Sequence, residues 1–356
     1  MSLLLLLSGF AAGLVALAYV ALILLSPAPP TPTLSEATYR SLDSSAPSPL
    51  PSLPSTPATL ALSVVVPAYN ERKRIRSMLR DTVQYLENRT VVDDEVPAGV
   101  EKGSYEVLIV DDGSKDGTAE VVLELAKELK SEFGAKRGNI KVVTLVRNRG
   151  KGGATRHGVL HSAGHRILFC DADGASHFPD LALLQAEADQ LQKEQVKGGA
   201  KVEDVHGVVV GSRAHLVRTE AVVKRSFLRN LLMRLFHTYL YILGIRTIRD
   251  TQCGFKLSSR ASAAHLYPSL HSPSWIFDCE LLLLALLSGI PVREVGIKWQ
   301  EVDGSKVDLV RDSVGMAVDL LVIRGNYLLG RWSKPGVVEL KGGVPVEVGE
   351  EPKKSR

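Results

Sequence analysis

Two aspartates stand two positions apart at the end of an apolar run, and they are the side chains best suited to hold a metal ion. Asp171 and Asp173 follow residues 166–170 (RILFC), a run typical of a buried strand. Hard cations such as Mg²⁺ bind one or two carboxylates together with the phosphate oxygens of a substrate. Pairs of this spacing are common, but a place at a strand end makes this one a strong signal. The pair predicts a site for a divalent cation and a diphosphate.

Polar residues follow three further apolar runs in the same manner. They are 67–71 (PAYNE), 111–118 (DDGSKDGT) and 147–154 (RNRGKGGA). In the second group a carboxylate can accept hydrogen bonds from a nucleobase or from ribose hydroxyls. In the third, glycines before a predicted helix allow a phosphate to approach backbone N–H groups, and Lys151 adds a positive charge. Helix capping is the alternative for the first two groups, and a flexible turn for the third.

Alternating strands and helices must position these groups. The apolar runs predict strands at 62–66, 105–110, 140–146, 166–170 and 208–211, with helices at 72–87, 118–133, 153–164 and 180–195. Continuous apolar strands that alternate with helices indicate an α/β fold, in which a mostly parallel sheet is covered by helices on both faces. Because open α/β sheets bind ligands beyond the carboxyl ends of their strands, we expect the polar groups to form one site.

Three histidines, His157, His161 and His165, recur every fourth residue along a predicted helix. Their spacing is similar to that of zinc ligands on a helix. No acidic partner lies near them, so we interpret them as a partly buried helix face behind the glycine-rich group.

The composition excludes several classes of protein. The chain has 356 residues with 43 Lys and Arg against 39 Asp and Glu, and a formal charge of +4 without a base-reading motif does not indicate nucleic-acid binding. The three cysteines, Cys170, Cys253 and Cys279, are widely spread and form no CxxC pair. A disulfide framework and a Cys-rich zinc site are therefore not expected. The glycine-rich group does not match GxxxxGK[ST], so a Walker-type ATPase is not indicated.

Composition also divides the chain into segments. Residues 1–25 have no charged side chain, and a helix over 3–25 at ~1.5 Å per residue is about 34 Å long, enough to cross a membrane core of ~30 Å. A cleaved signal peptide would have a basic start and an apolar run of only about 7–15 residues, so we predict a transmembrane signal-anchor. Residues 26–59 hold nine of the 18 prolines and predict an extended tether. A folded domain at 60–333 and a polar tail at 334–356 complete the chain.

Two segments of the predicted domain are suited to a membrane surface. Residues 213–234 contain six Lys or Arg against one Glu, interleaved with apolar and aromatic residues, and predict an interfacial helix near 221–245. Residues 313–332 are a second candidate. Ordinary packing against the core is the alternative for both.

The polar segments together resemble those of a known family. The chain resembles the inverting family 2 glycosyltransferases of the GT-A fold in VPAYNE at 66–71, VDDGSKDGT at 110–118, NRGKGGA at 148–154 and DAD at 171–173. It is similar in particular to the dolichyl-phosphate β-glucosyltransferases, and more distantly to dolichyl-phosphate mannose synthases, in VGSR at 210–213, KRSFLRN at 224–230, RDTQCGFK at 249–256 and WIFDCELLL at 275–283. The resemblance covers about residues 62–332.

This resemblance implies roles for residues on the donor side. The pocket for the nucleotide sugar would include Pro67, Tyr69, Glu71, Asp111, Asp112 and Lys151. Asp111 or Asp112 would bind the uracil and the ribose. Mg²⁺ or Mn²⁺ would be held against the donor diphosphate by Asp171 and Asp173, and the sugar would lie near Asp250 and Gln252.

Further roles are implied on the acceptor side. The acceptor phosphate would be bound by Arg213, Arg225 and Lys256. Asp278 and Glu280 are candidates for a general base, and the alternative is that they orient the acceptor-side arginines. The catalytic set predicted in this way is Asp173, Asp250, Asp278 and Glu280.

The reaction implied is metal-dependent transfer of glucose from UDP-glucose to dolichyl phosphate, with inversion at the anomeric carbon. An acceptor phosphate is already anionic and can attack without a strong general base. The protein then has to align the reactants and stabilise charge on the departing UDP. The family also implies an endoplasmic reticulum membrane location, with the lipid bilayer presenting the acceptor. The three cysteines, for which no disulfide is expected, favour a cytosolic catalytic domain.

Three alternatives stay open. A GDP-mannose-dependent synthase would differ in the base pocket, where the residues alone do not distinguish uracil from guanine. A sugar-phosphate nucleotidyltransferase would release pyrophosphate and has no reason for an anchor. A tethered nucleotide-sugar binder would show no metal-dependent turnover.

Overall fold

The computed structural model of this protein describes residues 3–29, 31–90, 95–134, 137–218, 238–239, 241, 244–245, 248–302 and 309–341. Its helices are α1 (Leu3–Leu25), α2 (Ile75–Asn88), α3 (Thr118–Phe133), α4 (Gly150–Leu160), α5 (Leu181–Lys197), α6 (Arg260–Leu266), α7 (Phe277–Leu287) and α8 (Leu309–Leu328). Its strands are β1 (Thr38–Ser41), β2 (Ser44–Pro49), β3 (Leu60–Ala68), β4 (Glu101–Asp111), β5 (Gly138–Thr144), β6 (Gly164–Cys170), β7 (Val208–Ser212), β8 (Phe255–Ser259) and β9 (Val292–Gly296). Strands and helices alternate from β3 to β7, as the apolar runs predict.

The strands of the described residues form one sheet in the order β2-β1-β5-β4-β3-β6-β8-β7-β9. The four central strands, β5, β4, β3 and β6, are parallel to one another. Strand β8 is antiparallel to both of its neighbours, and β9 is again parallel to β7. The predicted α/β architecture with a mostly parallel, helix-covered sheet is therefore confirmed.

The central strands are buried on both faces. Along β3, Val64 and Val66 contribute to one apolar core and Val65 to the other, as the two-residue period of a strand requires. Helices α2, α3 and α5 pack on the first face, and α4, α6, α7 and α8 pack on the second. This arrangement brings the polar segments that follow β3, β4, β5 and β6 to one edge of the sheet.

The predicted tether is the largest error in the segment boundaries. Instead of an unfolded chain, residues 26–59 contain a 3-10 helix (Leu34–Ala37) and strands β1 and β2. Arg40 of β1 pairs with Val142 of β5, so the segment extends the sheet beyond its parallel part. The segment has few apolar side chains to bury, and backbone pairing and a buried carboxylate hold it against the domain instead. The prediction of an extended tether is therefore wrong.

Helix α1 is long and apolar enough to cross a membrane over Ser8–Leu25, near the N-terminus. The chain just beyond it lies against α8, where Asn326 Nδ2 donates a hydrogen bond to Ser26 Oγ (2.8 Å). Helix α1 and α8 also pack closely, since a Cβ atom at Gly325 would lie 3.1 Å from Leu22 Cδ1. The candidate anchor therefore contacts the folded domain through α8.

The two predicted interfacial helices have different outcomes. The first, near 221–245, lies almost entirely outside the described residues. The second corresponds to α8, which buries Ile323 against the core and exposes Val314 and Leu321. Core packing and an exposed apolar face are therefore both present on α8.

The predicted polar tail at 334–356 is described as far as residue 341. Val338 N–H donates to the carbonyl oxygen of Ser288 (2.9 Å), and His265 Nε2 lies 2.9 Å from the carbonyl oxygen of Gly336. This first part of the tail lies against the domain.

Candidate active site

The aspartate pair lies immediately beyond β6, as predicted. Asp171 N–H donates to the carbonyl oxygen of Gly254 (3.0 Å), and Asp173 Oδ1 accepts from Ala175 N–H (3.0 Å). Gly174, which follows Asp173, has φ of 73°, which turns the chain sharply. Burial and the neighbouring Asp171 carboxylate raise the pKa of Asp173. The two carboxylates therefore repel each other and favour a cationic partner.

Lys151 brings a positive charge to this pair from the first turn of α4. Its Nζ lies 2.7 Å from Asp171 Oδ1, and the rings of Phe169 and Trp275 lie 5.3 and 5.5 Å from the ammonium. Burial alone would lower the pKa of Lys151, but the carboxylates of Asp171 and Asp278 outweigh it and raise that pKa. Lys151 and the aspartate pair, which the sequence predicts separately as donor-binding groups, are therefore in contact.

The glycines around Lys151 serve a different purpose from the one predicted. Gly152 and Gly153 donate their N–H groups to the carbonyl oxygen of Pro273 (3.0 and 3.3 Å). A Cβ atom at Gly152 would stand 2.5 Å from the carbonyl oxygen of Ser272. These glycines allow residues 272–274 to approach the backbone closely. Because the N–H groups of Gly152 and Gly153 are already bonded to Pro273, the prediction that they bind a phosphate is wrong.

Asp111 and Asp112 lie at the end of β4, and each is only 3% exposed. Asp111 Oδ1 accepts from Ser114 N–H (3.1 Å), and Asp112 Oδ1 accepts from Arg149 N–H (2.7 Å). Burial raises the pKa of both carboxyls, that of Asp112 to about 7. Asp112 therefore connects the predicted base pocket with the loop that precedes Lys151.

The segment after β3 is tied to the segment after β4. Asn70, in the left-handed region with φ of 52°, accepts at Oδ1 from Lys115 N–H (2.8 Å). Glu71 N–H donates to Thr118 Oγ1 (2.9 Å). Pro67 itself lies within β3, in register with Val110. Tyr69 is 36% exposed at this edge.

Arg74 is a site residue that the sequence reasoning missed. Its Nε and Nη2 each donate to the Glu71 carboxylate at 2.7 Å. Burial opposes the charge of Arg74, but Glu71, Asp173 and Asp171 outweigh it and raise the pKa of the guanidinium. Glu71 thus holds a cation whose charge interacts with that of the aspartate pair. The available signal is the three-residue spacing that places both side chains on one face of a helical turn.

Asp250 holds Arg213 on the predicted acceptor side. Arg213 Nε and Nη2 donate to the two oxygens of Asp250 (2.7 and 2.8 Å), and Arg213 N–H donates to the same carboxylate (2.8 Å). Burial opposes ionisation of Asp250, but these bonds lower its pKa. The Arg213 side chain stays 32% exposed. Arg225, predicted to act with it, lies outside the described residues.

Lys256 and Asp278 form a buried ion pair. Lys256 Nζ lies 2.6 Å from Asp278 Oδ1 and 2.6 Å from the carbonyl oxygen of Cys253, and the two side chains are 0% and 1% exposed. A fully covered ammonium cannot reach a lipid phosphate, which contradicts the predicted contact of Lys256 with the acceptor. The pair instead lies close to Lys151, because the ammonium groups of Lys151 and Lys256 lie 5.3 and 5.9 Å from the centre of the same Phe169 ring.

Glu280 belongs to another set of contacts. Its carboxylate accepts from the N–H groups of His271 and Ser272 and from Tyr327 Oη (2.8 Å). It therefore orders the chain next to residues 272–274, which pack on the glycines, and these contacts give no support to its role as a general base.

Gln252 Nε2 lies 3.1 Å from Met316 Sδ of α8.

Two of the three predicted histidines contact the segment before β3. His157 Nε2 lies 2.8 Å from the carbonyl oxygen of Glu36, and His161 Nδ1 lies 2.8 Å from that of Pro51. His165 lies in β6, outside the predicted helix. In the described part of the chain, no cluster of three or more His, Cys, Asp or Glu side chains forms a metal site.

Comparison with known proteins agrees with this arrangement. The family model described as "Glycosyl transferase family 2" matches residues 63–263, more than half of the chain. A relative from Saccharomyces cerevisiae, named dolichyl-phosphate beta-glucosyltransferase, is 46% identical over 270 residues, which are 76% of this chain and 75% of the relative. A Homo sapiens relative of the same name is 43% identical over 283 residues, 80% of each chain. The chain therefore belongs to glycosyl transferase family 2 and, within it, to the dolichyl-phosphate beta-glucosyltransferase family.

Solved structures show more distant similarity. A glucosyl-3-phosphoglycerate synthase from Mycobacterium tuberculosis in complex with UDP is 19% identical, with 74% of this chain and 80% of that chain covered and a TM-score of 0.45. A mannosyl-3-phosphoglycerate synthase from Rubrobacter xylanophilus is 17% identical, with 77% of each chain covered and a TM-score of 0.43.

Proposed function

We propose that this protein transfers glucose from UDP-glucose to dolichyl phosphate with inversion, giving dolichyl β-D-glucosyl phosphate for the assembly of N-glycan precursors. The observation that carries the proposal is the Lys151–Asp171 contact of 2.7 Å beside Asp173, at the carboxyl edge of the sheet. It supports binding of a diphosphate, since both a cation and a pair of metal-binding carboxylates are in place. The choice of glucose and of dolichyl phosphate follows the names of the relatives.

The aspartate pair fits a resident Mg²⁺ or Mn²⁺. Asp171 and Asp173 are oxygen donors, and the raised pKa of Asp173 reflects burial and the repulsion that a cation would relieve. Two carboxylates are the usual protein share of such a site, with phosphate oxygens of the substrate completing it. When bound, the metal supplies Lewis-acid stabilisation of the charge on the departing diphosphate.

The residues around the pair would bind different parts of the donor. Lys151 and the Glu71-oriented Arg74 contribute positive charge for the diphosphate. The carboxylates of Asp111 and Asp112 are the candidates for hydrogen bonds to the base and ribose. Because all of these groups are held by strand ends and helix turns, their orientation is largely fixed before the donor arrives.

The acceptor needs little proton chemistry. A lipid phosphate oxygen is already anionic and attacks the anomeric carbon from the face opposite UDP, so one inversion turns an α-linked donor into a β-linked product. Asp278 is consistent with this, since it is engaged by Lys256 and buried. Arg213, oriented by Asp250, is our candidate for binding the acceptor phosphate, together with Arg225.

The membrane arrangement completes the proposal. We assign α1 as a single-pass anchor in the endoplasmic reticulum membrane, with the catalytic domain on the cytosolic side. The exposed apolar side chains of α8, such as Val314 and Leu321, lie on a helix that contacts the end of α1. We infer that this face rests on the bilayer from which dolichyl phosphate is presented.

The test is sugar transfer by the purified full-length protein in detergent. Dolichyl phosphate is offered with radiolabelled UDP-glucose or GDP-mannose in parallel, with EDTA and with Mg²⁺ or Mn²⁺ added back. Asp173→Asn serves as the inactive comparison, and Asp43→Asn, which alters an exposed ion pair to Lys130, serves as the matched control. Labelled lipid from UDP-glucose alone, lost in EDTA and in Asp173→Asn, is expected. Transfer from GDP-mannose alone, or full activity in EDTA, would contradict the proposal.

A further inference from the structure

A buried carboxylate from the segment before β3 reaches residues 145–149, the loop between β5 and α4, which we call the donor loop. Glu36, at 0% exposure, lies in the 3-10 helix between α1 and the sheet. Arg149 Nη2 donates to Glu36 Oε2 (2.5 Å), and the side chains of Arg149 and Glu36 are 5% and 1% exposed. A charge pair so completely covered fixes the geometry of both partners, because neither can exchange its contact for water.

The Glu36 carboxylate contacts the donor loop at two points, and it also accepts hydrogen bonds from Thr33 on its own segment. Its Oε1 accepts from Val146 N–H (2.9 Å), at the beginning of the loop, while Arg149 binds Oε2 near the end. Thr33 N–H and Oγ1 both donate to Oε2 (2.6 and 2.8 Å). The Glu36 carbonyl oxygen lies 2.8 Å from His157 Nε2 of α4. Glu36 therefore connects the loop, the helix that follows it and the anchor-side segment.

From Arg149 the contacts continue into the donor site in two directions. The N–H of Arg149 donates to Asp112 Oδ1 (2.7 Å), a candidate group for the nucleoside. Two residues further along the chain, Lys151 reaches Asp171. A shift of Arg149 would therefore move the base-side carboxylate and the diphosphate-side cation together.

We propose that Glu36 is a positioning residue for the donor nucleoside diphosphate, so that the segment between the anchor helix and the sheet forms part of the donor site rather than a spacer. Glu36 lies outside residues 63–263, where the family model matches. Burial opposes its ionisation, but the hydrogen bonds from Thr33 and Val146 and the charge of Arg149 keep the pKa of Glu36 below its usual value. The identity of the donor as UDP-glucose rests on the proposed function; the positioning of a uridine diphosphate group can be measured without it.

The experiment compares four full-length variants with the wild type. Glu36→Gln keeps the size of the side chain and removes its charge. Arg149→Gln removes the charge on the other side with a shorter side chain, and the double variant combines the two changes. Asp43→Asn is the matched control, since Asp43 also joins this segment to the domain but is 53% exposed and bonded to Lys130 and Asn139 far from the loop. UDP affinity is measured by titration calorimetry with Mn²⁺, and KM is measured separately for UDP-glucose and dolichyl phosphate.

Glu36→Gln is expected to weaken UDP binding and raise the donor KM about tenfold, with the acceptor KM within about twofold of the wild type. The double variant should bind UDP like Arg149→Gln alone, because Glu36 acts through Arg149. Asp43→Asn should bind like the wild type. A Glu36→Gln protein that melts at a lower temperature but binds UDP normally, or that raises both KM values equally, would overturn the proposal.

A milder variant covers the case in which Glu36→Gln does not fold. Thr33→Val removes one hydrogen bond behind the Glu36 carboxylate and leaves the ion pair with Arg149. A smaller increase in the donor KM, in the same direction, is expected, and no change in UDP affinity would count against the proposal. UDP binding by the wild type without transfer to dolichyl phosphate would contradict the proposed function alone, since the comparison of UDP affinities remains valid.

Discussion

Gly254 lies so close to Asp171 that a Cβ atom on residue 254 would stand 1.9 Å from Asp171 Oδ2. The two residues are also joined by the hydrogen bond from Asp171 N–H to the Gly254 carbonyl oxygen (3.0 Å). The segment before β8 therefore packs directly against the Asp171 carboxylate, and only a residue without a side chain fits there. This contact explains why RDTQCGFK belongs with DAD in one site.

Gly254→Ala is expected to lower kcat/KM for UDP-glucose by about a hundredfold, because the Asp171 carboxylate must move and a misplacement of ~1 Å has an effect of this size. The change should also weaken Mn²⁺ binding, measured by electron paramagnetic resonance. Gly336→Ala is the control, since no heavy atom lies within 4 Å of a Cβ built there. Normal activity of Gly254→Ala would show that Asp171 does not need its present position.

Lys151→Met should reduce kcat/KM for UDP-glucose by about a hundredfold, the usual effect of removing one preorganised group that stabilises developing charge. The KM for dolichyl phosphate should stay within about twofold, since Lys151 is assigned to the donor alone. Steady-state kinetics with each substrate varied gives both values, and Lys193→Met, at an exposed position, is the control. If only the KM for dolichyl phosphate changed, Lys151 would act on the acceptor and its assignment to the donor would be wrong.

Lys256→Met should destabilise the fold by about 3–5 kcal/mol, because it leaves the Asp278 carboxylate buried without a partner. Lys256→Met combined with Asp278→Leu should recover much of this loss, since both charges are then removed. Denaturant unfolding of the single and double variants in detergent measures the difference. An acceptor KM that rises in Lys256→Met while the unfolding free energy is unchanged would restore the original prediction of a phosphate-binding lysine.

Asp112 should give the protein a pH-dependent stability. Burial raises the pKa of Asp112 from 3.8 to about 7, so the folded state binds a proton that the unfolded state has lost. The resulting stabilisation is complete below the unfolded pKa and disappears as the pH rises through about 7. The melting temperature of the wild type relative to Asp112→Asn should therefore fall between about pH 5 and pH 8. An equal difference in melting temperature between the wild type and Asp112→Asn at both pH values would contradict the raised pKa. The difference between the wild type and Asp43→Asn should not change with pH.

The sequence predicts the central sheet because its strands are buried on both faces and read as continuous apolar runs. Strand β8 was not predicted, because its sequence FKLSS contains Lys256 and two serines and is not a continuous apolar run. Lys256 is buried there only because Asp278 of α7 lies opposite, and a partner so far along the chain leaves no local pattern. The aspartate pair was predictable because it directly follows β6, and Lys151 because it follows the loop after β5, at the edge where an α/β sheet binds its ligands.

The segment at 26–59 could not be assigned from composition. Its many prolines and serines argue against a core, and Glu36 is one of only three charged side chains in it. Two of the contacts that hold the segment are the buried ion pair with Arg149 and the edge pairing of β1 with β5. Both depend on residues more than a hundred positions away, so no local signal indicates them. The glycines at 150–153 illustrate the same difficulty, because a loop that accommodates backbone and one that binds phosphate have the same composition.

The most direct test of the account is the anomeric configuration of the lipid product. Purified protein is incubated with UDP-glucose, dolichyl phosphate and Mn²⁺, and the product is examined by proton nuclear magnetic resonance at the anomeric position of the glucose. A single β-linked glucosyl phosphate is predicted, because the acceptor phosphate attacks opposite the departing UDP. An α-linked product would contradict inversion, and the absence of any glucosyl lipid would contradict the proposed function itself.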